Sequence, residues 1–289
     1  GSRYEGIWKD GRPHGLGKYR WPNGDYREGL WIDGEQNQNS KVIFITSSGY
    51  RHEGEIKNNL PDGRGVRTWT DGSHYQGNWK KGKQDGFGIL TWANGDIGSG
   101  EWKHDALIKG LIVYADGSHK MGEWNDKGEE NGVVISKKAN GDYIETHSKN
   151  GIPYGSSVIL LNDGTRFEGE LNWDAVTKYG KNPVNVNSLK KNKIILKALY
   201  SSKHAIVTRP GGFRYEGALK DGEPDGYGIG NYGNSRRIEG EFKNGLPHGH
   251  IIEVIDGVRW EGEYLNGSKV EESDKTSNSV SNFLKKLFN

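Results

Sequence analysis

The sequence holds no cysteine and a single methionine among its 289 residues. Without cysteine there is no disulfide, no thiolate metal site and no cysteine nucleophile, and the chain fits a reducing compartment. Hydrophobic residues make up 32 %, low for a domain of two packed layers. No apolar run approaches membrane-spanning length, and no secretory signal stands within the sequence given, one removed upstream being the alternative. Neither sign of charge dominates: 40 basic residues face 38 acidic ones, a formal net charge of +2. Bulk charge therefore calls for no nucleic-acid partner. Gly1 and Ser2 read as an expression scar ahead of the natural sequence.

Glycine and aromatic residues are abundant instead, with 45 Gly, 10 Trp and 14 Tyr. That composition favours turns and strands over helices. The aromatic share argues against disorder. A thin repeat structure, in which each unit buries little, satisfies both observations.

The stretch Tyr4-Glu5-Gly6-Ile7-Trp8-Lys9-Asp10-Gly11 returns down the chain. Anchored on the position of Glu5, the units begin at Glu5, Glu28, Glu53, Gln76, Ser99, Met121, Glu145, Glu168, Lys193, Glu216, Glu239 and Glu261, at steps of 22 to 25 residues. A period of this length is the mark of a repeat architecture. Most anchors are followed by Gly, and a large apolar residue, often Trp, stands two places further on. Each unit predicts a hairpin. Alternation puts Tyr4, Gly6 and Trp8 on one face of the first strand and Glu5, Ile7 and Lys9 on the other. Gly15, Gly17, Tyr19 and Trp21 share the aromatic face of the second strand. A strand glycine leaves room for a neighbouring ring to lie over the backbone. The opposite face is expected to be mostly charged. Asn23-Gly24, Asp71-Gly72, Asn94-Gly95 and their equivalents join the units through turns that need positive φ.

The pattern is worn between 173 and 204. Glu168 to Glu216 spans 48 residues, about two periods. This predicts a degenerate unit with strands over 194–198 and 205–208; a helix over 189–200 is the competing reading. Residues 268–279 read as a linker. Val280, Phe283, Leu284, Leu287 and Phe288 then form the apolar stripe of a short amphipathic helix.

The pattern Tyr-Glu-Gly-x-Trp-x-x-Gly-x-x-His-Gly-x-Gly is complete at Tyr4–Gly17 and recurs with substitutions at Tyr75–Gly88 and Tyr215–Gly228. It resembles the MORN repeat. The resemblance covers about Tyr4 to Gly267 and is weakest between Ser99 and Gly212. It implies a scaffold or partner-binding module, often linked to membranes or the cytoskeleton. The expected fold is all-β: a single elongated, twisted antiparallel sheet of about twelve tandem hairpins over 1–267, degenerate over 99–212. The linker 268–279 and the helix 280–289 follow.

No catalytic residue, metal or cofactor is expected. His14 and His248 share a repeat position with Asp62, Asp85 and Asp225, which reads as turn chemistry and not metal ligation. Carboxylates that recur with the period are structural by default, because an active site occurs once. Three features point to binding. Tyr4, Trp8, Trp21, Trp31, Trp69, Tyr75, Trp79, Trp92 and Trp102 form an aromatic stripe, expected both to pack and to line a groove for a partner's helix or extended segment, or for a second copy of the chain. The run Lys178, Lys181, Lys190, Lys191, Lys193, Lys197 and Lys203 contains no Asp or Glu and reads either as a solvated face or as a patch for anionic lipid or an acidic partner. The helix over 280–289 caps the last repeats, docks in the groove or lies on a membrane surface. The leading reading is a non-enzymatic scaffold in the cytoplasm or at the cytoplasmic face of a membrane. A membrane-surface adaptor and an enzyme with its site in the worn units are the alternatives.

Overall fold

The computed structural model describes residues 1–37, 40–170 and 202–270. Every regular element among them is a strand. The chain divides into two compact units, Gly1–Ala139 and Asn140–Asn289.

The first unit holds β1 (Arg3–Lys9), β2 (Arg12–Arg20), β3 (Tyr26–Ile32), β4 (Glu35–Gln36), β5 (Val42–Ile45), β6 (Arg51–Lys57), β7 (Leu60–Thr68), β8 (His74–Lys80), β9 (Lys83–Thr91), β10 (Ile97–Lys103), β11 (Ala106–Val113), β12 (His119–Glu123) and β13 (Gly132–Lys137). The second holds β14 (Tyr143–Lys149), β15 (Ile152–Leu160), β16 (Arg166–Glu170), β17 (Ala205–Arg209), β18 (Phe213–Lys220), β19 (Glu223–Tyr232), β20 (Arg236–Lys243), β21 (Leu246–Ile255), β22 (Val258–Leu265) and β23 (Ser268–Lys269). Within each unit, strand follows strand antiparallel in one sheet, as the repeat predicts; the two-residue β4 pairs only with β3, so β5 is the next full strand.

Two kinds of turn alternate. Hairpin tips are two-residue turns such as Asp10-Gly11, with φ of +50° and +72°, the type I′ geometry that suits twisted strands. The joints at Asn23-Gly24 are longer loops. The Trp21 amide donates to the Asp25 carbonyl at 2.8 Å and the Gly24 amide to the Trp21 carbonyl at 3.0 Å. Of the pair only Gly24 has positive φ, so the Asn-Gly signal marks the joint and the hairpin tip lies elsewhere.

The register explains the paired glycines. Gly6 faces Gly17, Gly54 faces Gly65, Gly77 faces Gly88 and Gly217 faces Gly228. A bulge follows the first glycine of each of these pairs, bending both strands and re-aiming the large residue beyond it.

β17 was expected to pair with a strand at 194–198. It pairs with β16 instead, Glu168 opposite Ile206 and Phe167 opposite Val207. The anchor Glu168 therefore opens a hairpin whose second strand begins at Ala205. No strand lies between β16 and β17 in the ladder. The expected strand at 194–198 and the helix at 280–289 lie outside the described residues.

Candidate functional site

The aromatic face is the packing face. Tyr75 lies over the Gly77–Gly88 pair, where a methyl carbon on Gly88 would stand 2.1 Å from its hydroxyl oxygen. That hydroxyl donates to the Asn78 carbonyl at 3.2 Å. Tyr4 donates to the Ile7 carbonyl and Tyr215 to the Ala218 carbonyl in the same way. The Trp rings answer from the neighbouring hairpin. The Nε1–H of Trp31, Trp79 and Trp102 donates to the carbonyls of Gly17, Gly65 and Gly88 at 3.0–3.1 Å. Trp31, Tyr75, Trp79 and Trp102 are buried, with Tyr75 5.0 Å from Trp79 and 5.5 Å from Trp102, edge to face. Tyr4, Trp21, Trp69 and Trp92 are half-buried, and Trp8 alone of the expected anchors is mostly exposed, at 56 %. A ring whose polar handle is satisfied inside the sheet has its partner already.

His52 takes the Tyr position in its unit. Its ring sits over Gly65, where a methyl carbon would come within 2.7 Å. The ring is shorter than a tyrosine, and neither nitrogen completes a hydrogen bond. Burial and then the charge of Arg67 push its pKa down to about 4. Arg67 itself stacks 4.1 Å from the Trp79 ring and 4.7 Å from Tyr50. Two outcomes are expected. His52→Tyr stabilises the chain by about 1–2 kcal/mol, since it removes a buried unpaired group and supplies a hydroxyl for the Glu55 carbonyl. The folded pKa of His52 lies below its unfolded value of 6.5, so the unfolded chain takes the proton first. Wild-type stability therefore falls by roughly 3 kcal/mol from pH 6.5 to 4 on this account. Urea denaturation of both proteins across that range checks it: the slope attributable to His52 vanishes in the variant.

The other face differs from expectation. Expected to be mostly charged, it carries a row that alternates between polar and apolar from Glu28 to Leu111. Across the first unit the row runs Glu5, Lys18, Glu28, Ile43, Glu53, Val66, Gln76, Ile89, Ser99, Leu111, Met121 and Ile135, each opposite the next. The anchors supply the first-strand members, and the second strands from β5 onward supply apolar ones. Several carboxylates are answered from their own strand. Arginine two residues ahead, on the same face, holds Glu5, Glu53, Glu168, Glu216, Glu239 and Glu261. Lys41 and then Arg51 hold the Glu53 carboxyl below its ordinary range.

The bent glycine row cuts a trough into this face of the first unit. One stretch, of about 740 Å³, is lined by Glu55, Arg64, Val66, Asn78, Phe87 and Ile89 over the backbone of Gly54, Gly65, Gly77 and Gly88. A second, of about 580 Å³, is lined by Glu5, Leu16, Lys18, Glu28 and Ile43. Lys41 and Glu53 border both. Phe87 and Leu16 are each 71 % exposed. The trough and the expected anchors are thus on opposite faces. The signal for the trough was present in the sequence: Ile43, Val66, Ile89 and Leu111 recur at 22–23 residues.

The shared His/Asp position does turn chemistry, as read. Asp62 accepts the Lys81 amide at 3.1 Å, Asp225 the Asn244 amide at 3.2 Å and His248 Nδ1 the Asn266 amide at 3.4 Å. Each ties one hairpin to the tip of the next. Among the described residues no group of three His, Asp or Glu could hold a metal ion. Lys203 is exposed. Lys178, Lys181, Lys190, Lys191, Lys193 and Lys197 lie outside the described residues, as do Val280, Phe283, Leu284, Leu287 and Phe288.

A less periodic feature stands in the second unit. Glu253 is buried on the aromatic face, at the position that Ile159 and Val207 fill in other hairpins. Arg236 Nε reaches it at 2.6 Å, Lys269 Nζ at 2.9 Å and the Tyr264 hydroxyl at 2.9 Å. Burial alone would raise its pKa; the three donors outweigh burial and lower it.

Comparison with known families and structures agrees with the repeat. The model of the MORN repeat matches residues 4–26, 52–74, 75–97, 215–229 and 239–250. Among solved structures, the chain is similar to the TCP10 domain of Danio rerio CPAP in complex with a peptide of STIL, at 14 % identity and a TM-score of 0.39, over 91 % of this chain and 100 % of that one. It is also similar to the SAS-4 (dCPAP) TCP domain of Drosophila melanogaster in complex with a proline-rich motif of Ana2, at 15 % identity and a TM-score of 0.35, over 55 % of this chain and 85 % of that one. Likeness at this level carries no inference about either partner.

Proposed function

The chain is a MORN-repeat protein, and from that premise we propose that it is a non-enzymatic scaffold that holds a segment of a partner protein in the trough of its first unit. The supporting observation is the trough itself. It joins exposed apolar side chains, Phe87 and Ile89, to a floor of bare glycine backbone. Its polar residues recur with the period, as suits a surface that repeats and not a single reacting centre. The aromatic face supplies stiffness and the carboxylate face supplies contact.

The reading is tested by affinity capture with the full chain, beside Ile89→Glu and Trp31→Ala. Both variants are first confirmed as folded by circular dichroism. Ile89→Glu is expected to release the captured partner, because it puts a charge in the apolar part of the trough. Trp31→Ala, on the far face, is expected to retain it at any temperature where the variant stays folded. Capture that survives Ile89→Glu but fails in folded Trp31→Ala would move the site to the aromatic face. Light scattering alongside distinguishes a separate partner from a second copy.

A further inference from the structure

We infer that the trough selects a left-handed polyproline II segment with an apolar residue at every third position and a basic residue at one end. The inference rests on the segment-binding reading above and deepens it.

The trough and the segment share a period. The trough crosses the strands, so a segment lying in it meets one strand after another. Its apolar wall residues, Ile43, Val66 and Ile89, sit on alternate strands of the ladder. With strands about 4.8 Å apart, they recur roughly every 9.6 Å. A polyproline II helix rises about 3.1 Å per residue and returns to the same face every three residues, or about 9.3 Å. Its every third side chain therefore stays in step with the wall across the trough. A β-strand returns to the same face after about 6.7 Å and falls out of step at once. An α-helix covers 9.6 Å in about 6.4 residues, roughly 80° out of phase with whole turns. The polyproline II form also leaves its backbone groups free, which suits a trough floored by glycine backbone whose ladder is already made.

Charge fixes an orientation. Glu28 and Glu55 face the trough on β3 and β6 without an ion pair among the described residues; of the cations at that end, Lys41 is held by Glu53, Lys18 lies over the Tyr26 ring and Arg3 is held by Glu5. Arg64, also without an ion pair, stands on β7 between them and the apolar end. The complementary segment places Lys or Arg over β3–β6, an acidic or amide side chain over β7 and apolar residues over β7–β9.

Selection from a random 16-residue peptide library displayed on phage, against the folded full chain and with depletion on Ile89→Glu, tests this. The expected result is enrichment of sequences with apolar residues three apart and a basic end. A synthetic consensus peptide then binds, loses at least tenfold in affinity to Ile89→Glu or Val66→Glu, and weakens severalfold with Glu28→Lys/Glu55→Lys. A spacer that shifts the period from three to four also removes binding. Enrichment of helical spacing or of strict alternation overturns the polyproline II assignment while leaving segment binding intact. Binding indifferent to Ile89 and Val66 overturns it too. No enrichment at all, or concentration-dependent self-association abolished by Ile89→Glu, overturns both it and the partner-segment reading.

Discussion

Gly88→Ala is expected to destabilise the first unit by about 3 kcal/mol or more. The added methyl would stand 2.1 Å from the Tyr75 hydroxyl oxygen and 2.3 Å from its ring carbon Cζ. Tyr75 is fully buried, so the ring has nowhere to move without leaving its site. Expelling it forfeits the bond to Asn78 and the edge contacts with Trp79 and Trp102. Loss of a buried aromatic side chain costs roughly 3–5 kcal/mol. Gly72→Ala is the matched control. Nothing lies within 4 Å of its methyl, but its φ is +88°, so only backbone strain of about 1–2 kcal/mol applies. Urea denaturation followed by tryptophan fluorescence compares them. If Gly88→Ala proves no worse than Gly72→Ala, the glycine pairs are not there to seat the rings.

Arg236→Ala is expected to cost about 3–5 kcal/mol in the second unit, the penalty for leaving a buried carboxylate short of a partner. Lys269 and Tyr264 remain, which sets the lower end. Adding Glu253→Gln to that variant should recover a large part of the loss, because the double variant no longer buries a charge. The double-mutant cycle isolates the coupling. Acid provides a second readout. The Glu253 pKa is held below its ordinary 4.5. Its contribution is therefore complete above about pH 4.5 and is lost as pH falls through the lower folded value. Wild type should lose stability on that descent more steeply than Glu253→Gln. Equal slopes would show that the cluster carries no net stabilisation.

Much of this architecture was legible in the sequence. Strand, tip and joint could be placed because Gly, Trp and Asn-Gly recur at fixed offsets. The turn role of His248 and Asp62 followed from two chemistries sharing one position. The trough on the opposite face went unread in the sequence for a physical reason. Aromatic residues suggest contact surface, yet a glycine opposite each ring is what lets the ring bury itself. The trough face carries Ile43, Val66 and Ile89, whose period is equally clear but whose neighbours are charged. The pairing of β16 with β17 was hidden because a gap of two periods imitates a lost repeat. Only the ladder distinguishes them. Glu253 could have been flagged as a charge at an apolar repeat position, although its donors come from three other strands.

The hairpin of β16 and β17 has a consequence for how such a chain can change. In sequence 34 residues separate β16 from β17, where two, Asp10 and Gly11, separate β1 from β2. The ladder is held by β15 on one side and β18 on the other, so closure does not depend on a tight tip. Loop-closure entropy grows slowly, at about 0.6 kcal/mol per doubling, so an expansion of this size costs on the order of 2 kcal/mol. Every hairpin tip flanked by two paired strands is thus a grafting point. New chemistry can be acquired there by insertion, one tip at a time, while the sheet that carries it stays the same.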